Sequence, residues 1–266
     1  MRAAPSNLLL EARYSNQVTQ LTLNRPNRLN AFNESLYLAT TDALERLSID
    51  NDTRIILITG AGKTFCAGMD IIEASEKEQS LRTVTAARQF MQALTRCRKI
   101  VVAAVFGQVT GIGVTLLMHC DVVYCSESTT FQTPFCQVGI APEFASSVLF
   151  PTMLGKQLSN EFLLRGEVIS AYKMADAGIC RIVEGSNGDV DKVFQTALQD
   201  CVRWSKEASD EQWASVLAAK KLMKMGVMGS VDSAIEREFK QIYEDLESGR
   251  TSRLVRARVR QLTSKL

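Results

Sequence analysis

Short runs of β-branched and aliphatic residues alternate with stretches of helical periodicity in the first half of the chain, the pattern of a sheet covered by helices. The candidate strands are Leu8 to Arg13, Val18 to Leu23, Ile55 to Thr59, Val101 to Val105 and Val122 to Tyr124. Between the second and third, Phe32, Leu36, Ala39, Ala43, Leu44 and Leu47 recur at spacings that predict an amphipathic helix, with Asn30 or Asn33 as its cap. Leu81, Val84, Ala87, Met91 and Leu94 predict a second. The run IVVAAVFG after it has no polar alternation, so it reads as a strand buried on both faces of an internal sheet. Past residue 150 helical patterns dominate: Lys156 to Leu164, Ala171 to Ala177, Val190 to Lys206, Glu211 to Met225 and Val231 to Leu246, with Ser170, Asp210 and Ser230 at cap positions. No Pro- or Gly-rich linker separates the halves, which predicts one α/β domain with a helical carboxy-terminal region.

The 266 residues, 46% hydrophobic and 23% charged, can bury a sizeable core and exclude a disordered or fibrous chain. With 31 basic and 29 acidic residues, no global charge points to nucleic acid or a membrane surface. The most apolar region, Ile100 to Tyr124, is interrupted by Gln108, Thr110, Thr115, His119 and Asp121, which argues against a membrane span. The three-residue apolar run near the start is too short for a secretory leader. Seven cysteines without a CxxC pair or zinc spacing read as buried free thiols in a reducing compartment. The final Ser264, Lys265 and Leu266 match the address read by the peroxisomal import receptor, which predicts a peroxisomal protein. The polar segment from Glu73 to Ser80 reads as either an ordered lid or a mobile loop.

Two nucleotide motifs fail on inspection. Gly62-Lys63-Thr64 follows a strand, but a phosphate loop needs Gly where Leu57 stands. Gly111-Ile112-Gly113 begins a dinucleotide fingerprint whose third glycine is replaced by Leu116. The single His119, in the apolar string VTLLMHCDVV, reads as a core or interface histidine. Three segments survive: GAGKTFCAGMDI (60 to 71), FGQVTGIGVTLLMHCDVVY (106 to 124) and FQTPFCQVGIAPEFASS (131 to 147). In the first two a glycine-dense turn leads from a buried strand towards a helix, which leaves backbone N–H groups unpaired, and two such groups converging would form an oxyanion hole.

These segments, with LTLNRPNRLNAF (21 to 32), resemble the crotonase (enoyl-CoA hydratase/isomerase) superfamily over most of the chain. The resemblance implies a ββα superhelix binding an acyl-CoA thioester, with a core over 1–200, a helical trimerisation region over 201–266, and a homotrimer as the assembly. It places the two oxyanion donors at the N–H groups of Met69 and Ile112. Ala67, Gly68, Asp70, Ile71, Gly111 and Phe135 would line the bound thioester. Arg28 and Leu29 lie in the loop that meets the CoA nucleotide, where Arg25 would also bring positive charge to phosphate or would equally be a surface turn residue.

Hydratases of this family carry glutamates at the positions of Thr115 and Phe135, and dienoyl-CoA isomerases also need an acid at the latter. Here the acid is Glu143, in APEFASS, where Δ3,Δ2-enoyl-CoA isomerases carry their single catalytic glutamate. A bland role is also open, because a Glu after Pro is common in a first helical turn. One base moving a proton from C2 to C4 and two N–H groups at the thioester oxygen suffice for that isomerisation, so no cofactor or metal is expected beyond the CoA of the substrate. Phe135 would exclude water and raise the basicity of Glu143, or simply pack the core. Rival readings are a weak hydratase and a non-catalytic acyl-CoA-binding scaffold. The basic tail with Arg250, Arg253, Arg256, Arg258, Arg260 and Lys265 is either a solvated helix face or a contact for a CoA phosphate; RNA is disfavoured because no aromatics are interleaved.

Overall fold

The structure, a computed structural model, describes residues 7–71 and 77–263. Six strands form the main sheet: β1 (Leu9–Tyr14), β2 (Val18–Leu23), β3 (Ile55–Gly60), β4 (Ile100–Val105), β6 (Val122–Ser126) and β9 (Arg181–Val183), in that spatial order. Only the β1–β2 pair is antiparallel; the rest are parallel, as strands joined through helices must be. A second, three-stranded sheet contains β5 (Gln108–Thr110), β7 (Thr130–Gln132) and β8 (Ile169–Ser170).

Every residue of β3 and β4 is buried, as expected for an internal strand. Alternate side chains enter two separate cores. Ile56, Ile58, Val101 and Ala103 join the larger one, packed with α1 (Glu34–Ile49) and α2 (Lys77–Arg96). Ile55, Leu57, Ile100 and Val102 face α7 (Val190–Glu207), which contributes Val193, Ala197 and Cys201. Asn33 caps α1, its side chain accepting from the Leu36 N–H at 3.0 Å. Asn30 instead lies buried in a left-handed conformation, donating to the carbonyls of Ala61 and Thr64 and accepting from the Arg25 N–H. That set of bonds staples the 25–30 loop onto the 60–68 loop.

The remaining helices are α3 (Ile112–Thr115), α4 (Phe135–Val138), α5 (Ser146–Asn160), α6 (Ala171–Asp176), α8 (Asp210–Glu247) and α9 (Arg250–Thr263). Ser170 caps α6 as expected. The two helices expected over 211–246 are one continuous helix, α8, capped by Ser209 in a reciprocal pair with Gln212 rather than by Asp210 or Ser230. The helix continues through Gly226 and Gly229, at a cost of roughly 1 kcal/mol each. Its buried Lys220 donates to the Lys99 carbonyl at 2.6 Å and ion-pairs with Asp121, anchoring α8 to the end of β4. Cys136 is exposed, contrary to the buried-thiol reading, whereas Cys125 and Cys180 are buried with sulfurs 3.4 Å apart. Among the described residues no helix is long and apolar enough to cross a membrane. The segment from Glu73 to Ser80 is helical from Lys77; residues 72–76 and the tripeptide Ser264 to Leu266 lie outside the described residues.

Candidate active site

Met69 belongs to a short parallel bridge with Phe32: the Phe32 N–H donates to the Gly68 carbonyl at 2.7 Å and the Asp70 N–H to the Phe32 carbonyl at 2.8 Å. In such a ladder the residue between the two bonds turns its own N–H to the opposite side. Accordingly the Met69 N–H donates to nothing among the described residues. Gly68 is at φ +95°, a conformation that favours glycine. The turn is braced by Asp70, 4% exposed, whose carboxylate meets the Arg25 guanidinium at 3.0 Å. Arg25 thus stands with its side chain almost fully buried, also donating to the Ala31 carbonyl, and does not project towards a solvent-borne phosphate as expected. Arg28 and Leu29 of the same loop are exposed. The Ala67 N–H donates to the Leu29 carbonyl at 2.9 Å, which joins the loop to the turn, and Ile71, half-buried, closes it.

The second glycine turn packs directly on the first. A Cβ built on Gly68 would lie 3.2 Å from the Thr110 carbonyl oxygen, and one on Gly111 would lie 3.7 Å from the Gly68 Cα. The approach is tight at Gly68, and at Gly111 it is the backbone, at φ +54°, rather than the space that disfavours a side chain. The Thr110 N–H donates to the Cys66 carbonyl at 2.9 Å, and the Gly111 N–H to the Gln132 carbonyl at 2.9 Å. Ile112 then opens α3, where the first N–H groups have no partner within the helix. The N–H groups of Val114 and Thr115 return to the Gly111 carbonyl, and that of Ile112 donates to nothing among the described residues. Two unpaired N–H groups therefore flank a glycine-to-glycine contact.

Glu143 stands just before α5. The helix begins at Ser146, so Glu143 is not a first-turn residue, and the bland capping role falls to another carboxylate: Glu238 of α8 accepts from the N–H groups of Ala145 at 2.7 Å and Ser147 at 2.9 Å. The Glu143 carboxylate accepts no hydrogen bond among the described residues, and the residue as a whole is half-buried. Desolvation, reinforced by the charge of Glu238, pushes it up to about 8. Its own charge in turn reaches Tyr37 of α1 and Cys66. Burial foremost, then Glu143, raises Tyr37 well above the ordinary range and pushes the Cys66 thiol up to about 12. Cys66 also receives the Gly68 N–H at 3.3 Å, and a Cβ on Gly113 would lie 2.9 Å from the Cys66 Cβ. Glu143 is therefore within electrostatic reach of Cys66, which packs between the two glycine turns.

Thr115 is fully buried and Phe135 packs in the main core, and neither side chain carries a carboxylate. His119 belongs to the packing, stacked on the Phe144 ring with centroids 4.1 Å apart and donating from Nε2 to the Phe144 carbonyl at 2.9 Å. Burial above all lowers it to about 4, so it is neutral at physiological pH. Sequence reasoning missed Glu238 and Tyr37. The signal for Glu238 was a charge set into the apolar stripe of Ala234, Ile235, Phe239 and Ile242, all buried.

The family model described as enoyl-CoA hydratase/isomerase matches residues 13–248. The chain is 36% identical over 167 residues to rat enoyl-CoA delta isomerase 2, covering 61% of this chain and 42% of that protein. It is 29% identical over 196 residues to the Arabidopsis thaliana protein named Delta(3,5)-Delta(2,4)-dienoyl-CoA isomerase, peroxisomal, covering 68% and 70%. It is 28% identical over 229 residues to human testis-specific chromodomain protein Y 1, covering 83% and 40%. The chain thus spans about two fifths of the length of the rat and human relatives. The solved structure of Pseudomonas aeruginosa OdaA superposes with a TM-score of 0.85 at 31% identity, covering 95% of this chain and 98% of that one.

Proposed function

Because this chain belongs to the enoyl-CoA hydratase/isomerase family, we propose that it is a Δ3,Δ2-enoyl-CoA isomerase in which Glu143 is the only proton carrier. The observation that carries the reading is the Glu143 carboxylate, raised to about 8 and free of hydrogen bonds among the described residues, within electrostatic reach of Cys66, which packs between the two glycine turns whose Met69 and Ile112 N–H groups donate to nothing among those residues. The thioester oxygen is held by the N–H groups of Met69 and Ile112. Glu143 removes a proton from C2 of the 3-enoyl thioester, and the C–H electron pair delocalises into the dienolate, whose charge gathers on that oxygen. The same carboxyl returns its proton to C4, leaving the double bond between C2 and C3. A base raised towards the pH of the reaction suits this exchange, because it is strong enough to take the carbon acid's proton and acidic enough to return it. The donors act where charge develops. Phe135 supplies an apolar wall where a hydratase needs a second carboxylate for water.

Support for isomerisation over the dienoyl reaction is the same Phe135 position, where an acid is wanted and none stands. Arg28 and Leu29 meet the CoA nucleotide, and Ala67, Gly68, Asp70, Ile71 and Gly111 surround the thioester. The assembly is a homotrimer, and the cellular site is the peroxisome, the latter supported by the Arabidopsis thaliana relative's name and by Ser264-Lys265-Leu266. A fluorescent fusion that stays punctate after removal of those three residues would overturn that address.

A second reading is a non-catalytic acyl-CoA-binding scaffold; the chain is also similar to a human relative named for a chromodomain and not for an enzymatic activity. The deciding experiment gives the purified chain a 3-enoyl-CoA and, separately, a 2-trans-enoyl-CoA. Isomerisation far faster than hydration is expected. Dominant hydration would make the protein a hydratase, and binding without turnover would make it a scaffold.

A further inference from the structure

Two side chains from distant parts of the chain seize one peptide group beside Glu143. The peptide between Phe144 and Ala145 has its carbonyl bonded by the His119 Nε2–H at 2.9 Å and its N–H bonded to the Glu238 carboxylate at 2.7 Å. Both flanking residues are in the left-handed region, Phe144 at φ +61° and Ala145 at φ +57°, which side chains rarely adopt unless the surroundings over-determine them. Phe144 is fully buried and stacked on His119, and Glu238 is 5% exposed. We propose that His119 and Glu238 act together as positioning residues, clamping the Phe144–Ala145 peptide and so setting where the Glu143 carboxylate sits and which charge it faces. The proposal rests on the isomerase reading for its consequence in turnover, but not for its geometry.

The groups facing Glu143 are Glu238 from α8, Tyr37 from α1 and Cys66 from the loop after β3; Tyr37 and Cys66 are held neutral by burial. Glu238 faces Arg237 on its own helix, the Ala145 N–H just before α5 and Ser147 in its first turn, and His119 faces Lys224 of α8. Since His119 titrates near pH 4, its single N–H stays in place over the working range. Glu238 is then the neighbouring charge that raises Glu143, on top of desolvation. The clamp gives one position two effects: a fixed aim, which belongs to kcat, and a raised proton affinity, which belongs to the pH profile.

Four variants separate these effects. Glu238→Gln is expected to lower kcat on the order of 10- to 100-fold with little change in KM, and to move the acidic limb of kcat/KM to lower pH. Glu238→Asp keeps the charge but retracts it, so kcat falls while the limb stays; it also carries the test if the glutamine variant does not fold. His119→Leu removes the donor and lowers kcat similarly, and His119→Gln, which can place an N–H near the Nε2 position, restores most of it. The midpoint of Glu143 is read without turnover, from infrared difference spectra between the parent and its Glu143→Gln variant, and is expected to be lower in the Glu238→Gln background. An unmoved midpoint and limb, unchanged kcat in Glu238→Asp, or no rescue by His119→Gln would overturn the clamp. A wild-type protein without isomerase turnover, whose midpoint still moves, would overturn the isomerase reading and uphold the clamp.

Discussion

Replacing Glu143 by glutamine should stabilise the protein, and only above acidic pH. An ordinary glutamate titrates near 4.5, and in the folded chain burial and Glu238 raise Glu143 to about 8. Below about pH 4.5 the carboxyl is protonated in both folded and unfolded chains, and no penalty exists. Between 4.5 and 8 the unfolded chain has released a proton that the folded chain retains, so stability falls as pH rises; above 8 the loss levels off. At about 1.36 kcal/mol per pH unit, the ceiling of this loss is roughly 5 kcal/mol. Glu143 is partly accessible, so solvent screening lowers the expectation to about 2–3 kcal/mol. For a chain of this size that is a rise in Tm of about 4–12 °C for Glu143→Gln at pH 9, shrinking towards zero near pH 4.5. Thermal unfolding by circular dichroism, at one protein concentration and matched ionic strength, measures it. A variant equally or less stable than the parent at pH 9, or a gain independent of pH, would refute the claim that this carboxylate is held against its own ionisation.

Three further outcomes test other parts of the structure. Gly111→Ala forces a side chain onto a residue at φ +54° and shifts the Ile112 N–H; kcat should fall about 10²–10³-fold in a steady-state assay, the loss typical of one oxyanion donor. Asp70→Ala leaves the Arg25 guanidinium buried without its carboxylate and should cost about 3–5 kcal/mol in denaturant unfolding. The pair Gly226→Ala and Gly229→Ala, where a Cβ meets nothing within 4 Å, should stabilise α8 by about 1 kcal/mol each, read as a higher urea midpoint at unchanged slope.

The strands and helices that position the site were legible because each is long enough to show its period. The doubly buried IVVAAV strand and the stripe over Leu36 to Leu47 are the clearest cases. Strands β5, β7, β8 and β9 have two or three residues each, too few for any alternation to register, and they exist through their partners. Helix α8 reads in the sequence as two helices, ending at Met225 and restarting at Val231, because the apolar periodicity lapses between them although the backbone does not. At the site, glycine-dense turns betrayed unpaired N–H groups, since backbone geometry is local. Long-range pairings were not readable: Arg25 turns inward to Asp70, 45 residues away, and Glu238 meets Ala145 across 93 residues. The charge of Glu238 on an apolar stripe marked it as unusual, but only the fold could say what it holds.

The role of Glu143 as the proton carrier is read from the absorbance of the conjugated 2-enoyl thioester as the purified protein meets a 3-enoyl-CoA, beside Glu143→Gln, with acyl-CoA binding to both measured by calorimetry. Turnover is expected in the parent, with a fall of about 10²–10⁴-fold or more in the variant and binding retained in both. Turnover that survives the substitution would contradict that role, placing the base on another residue.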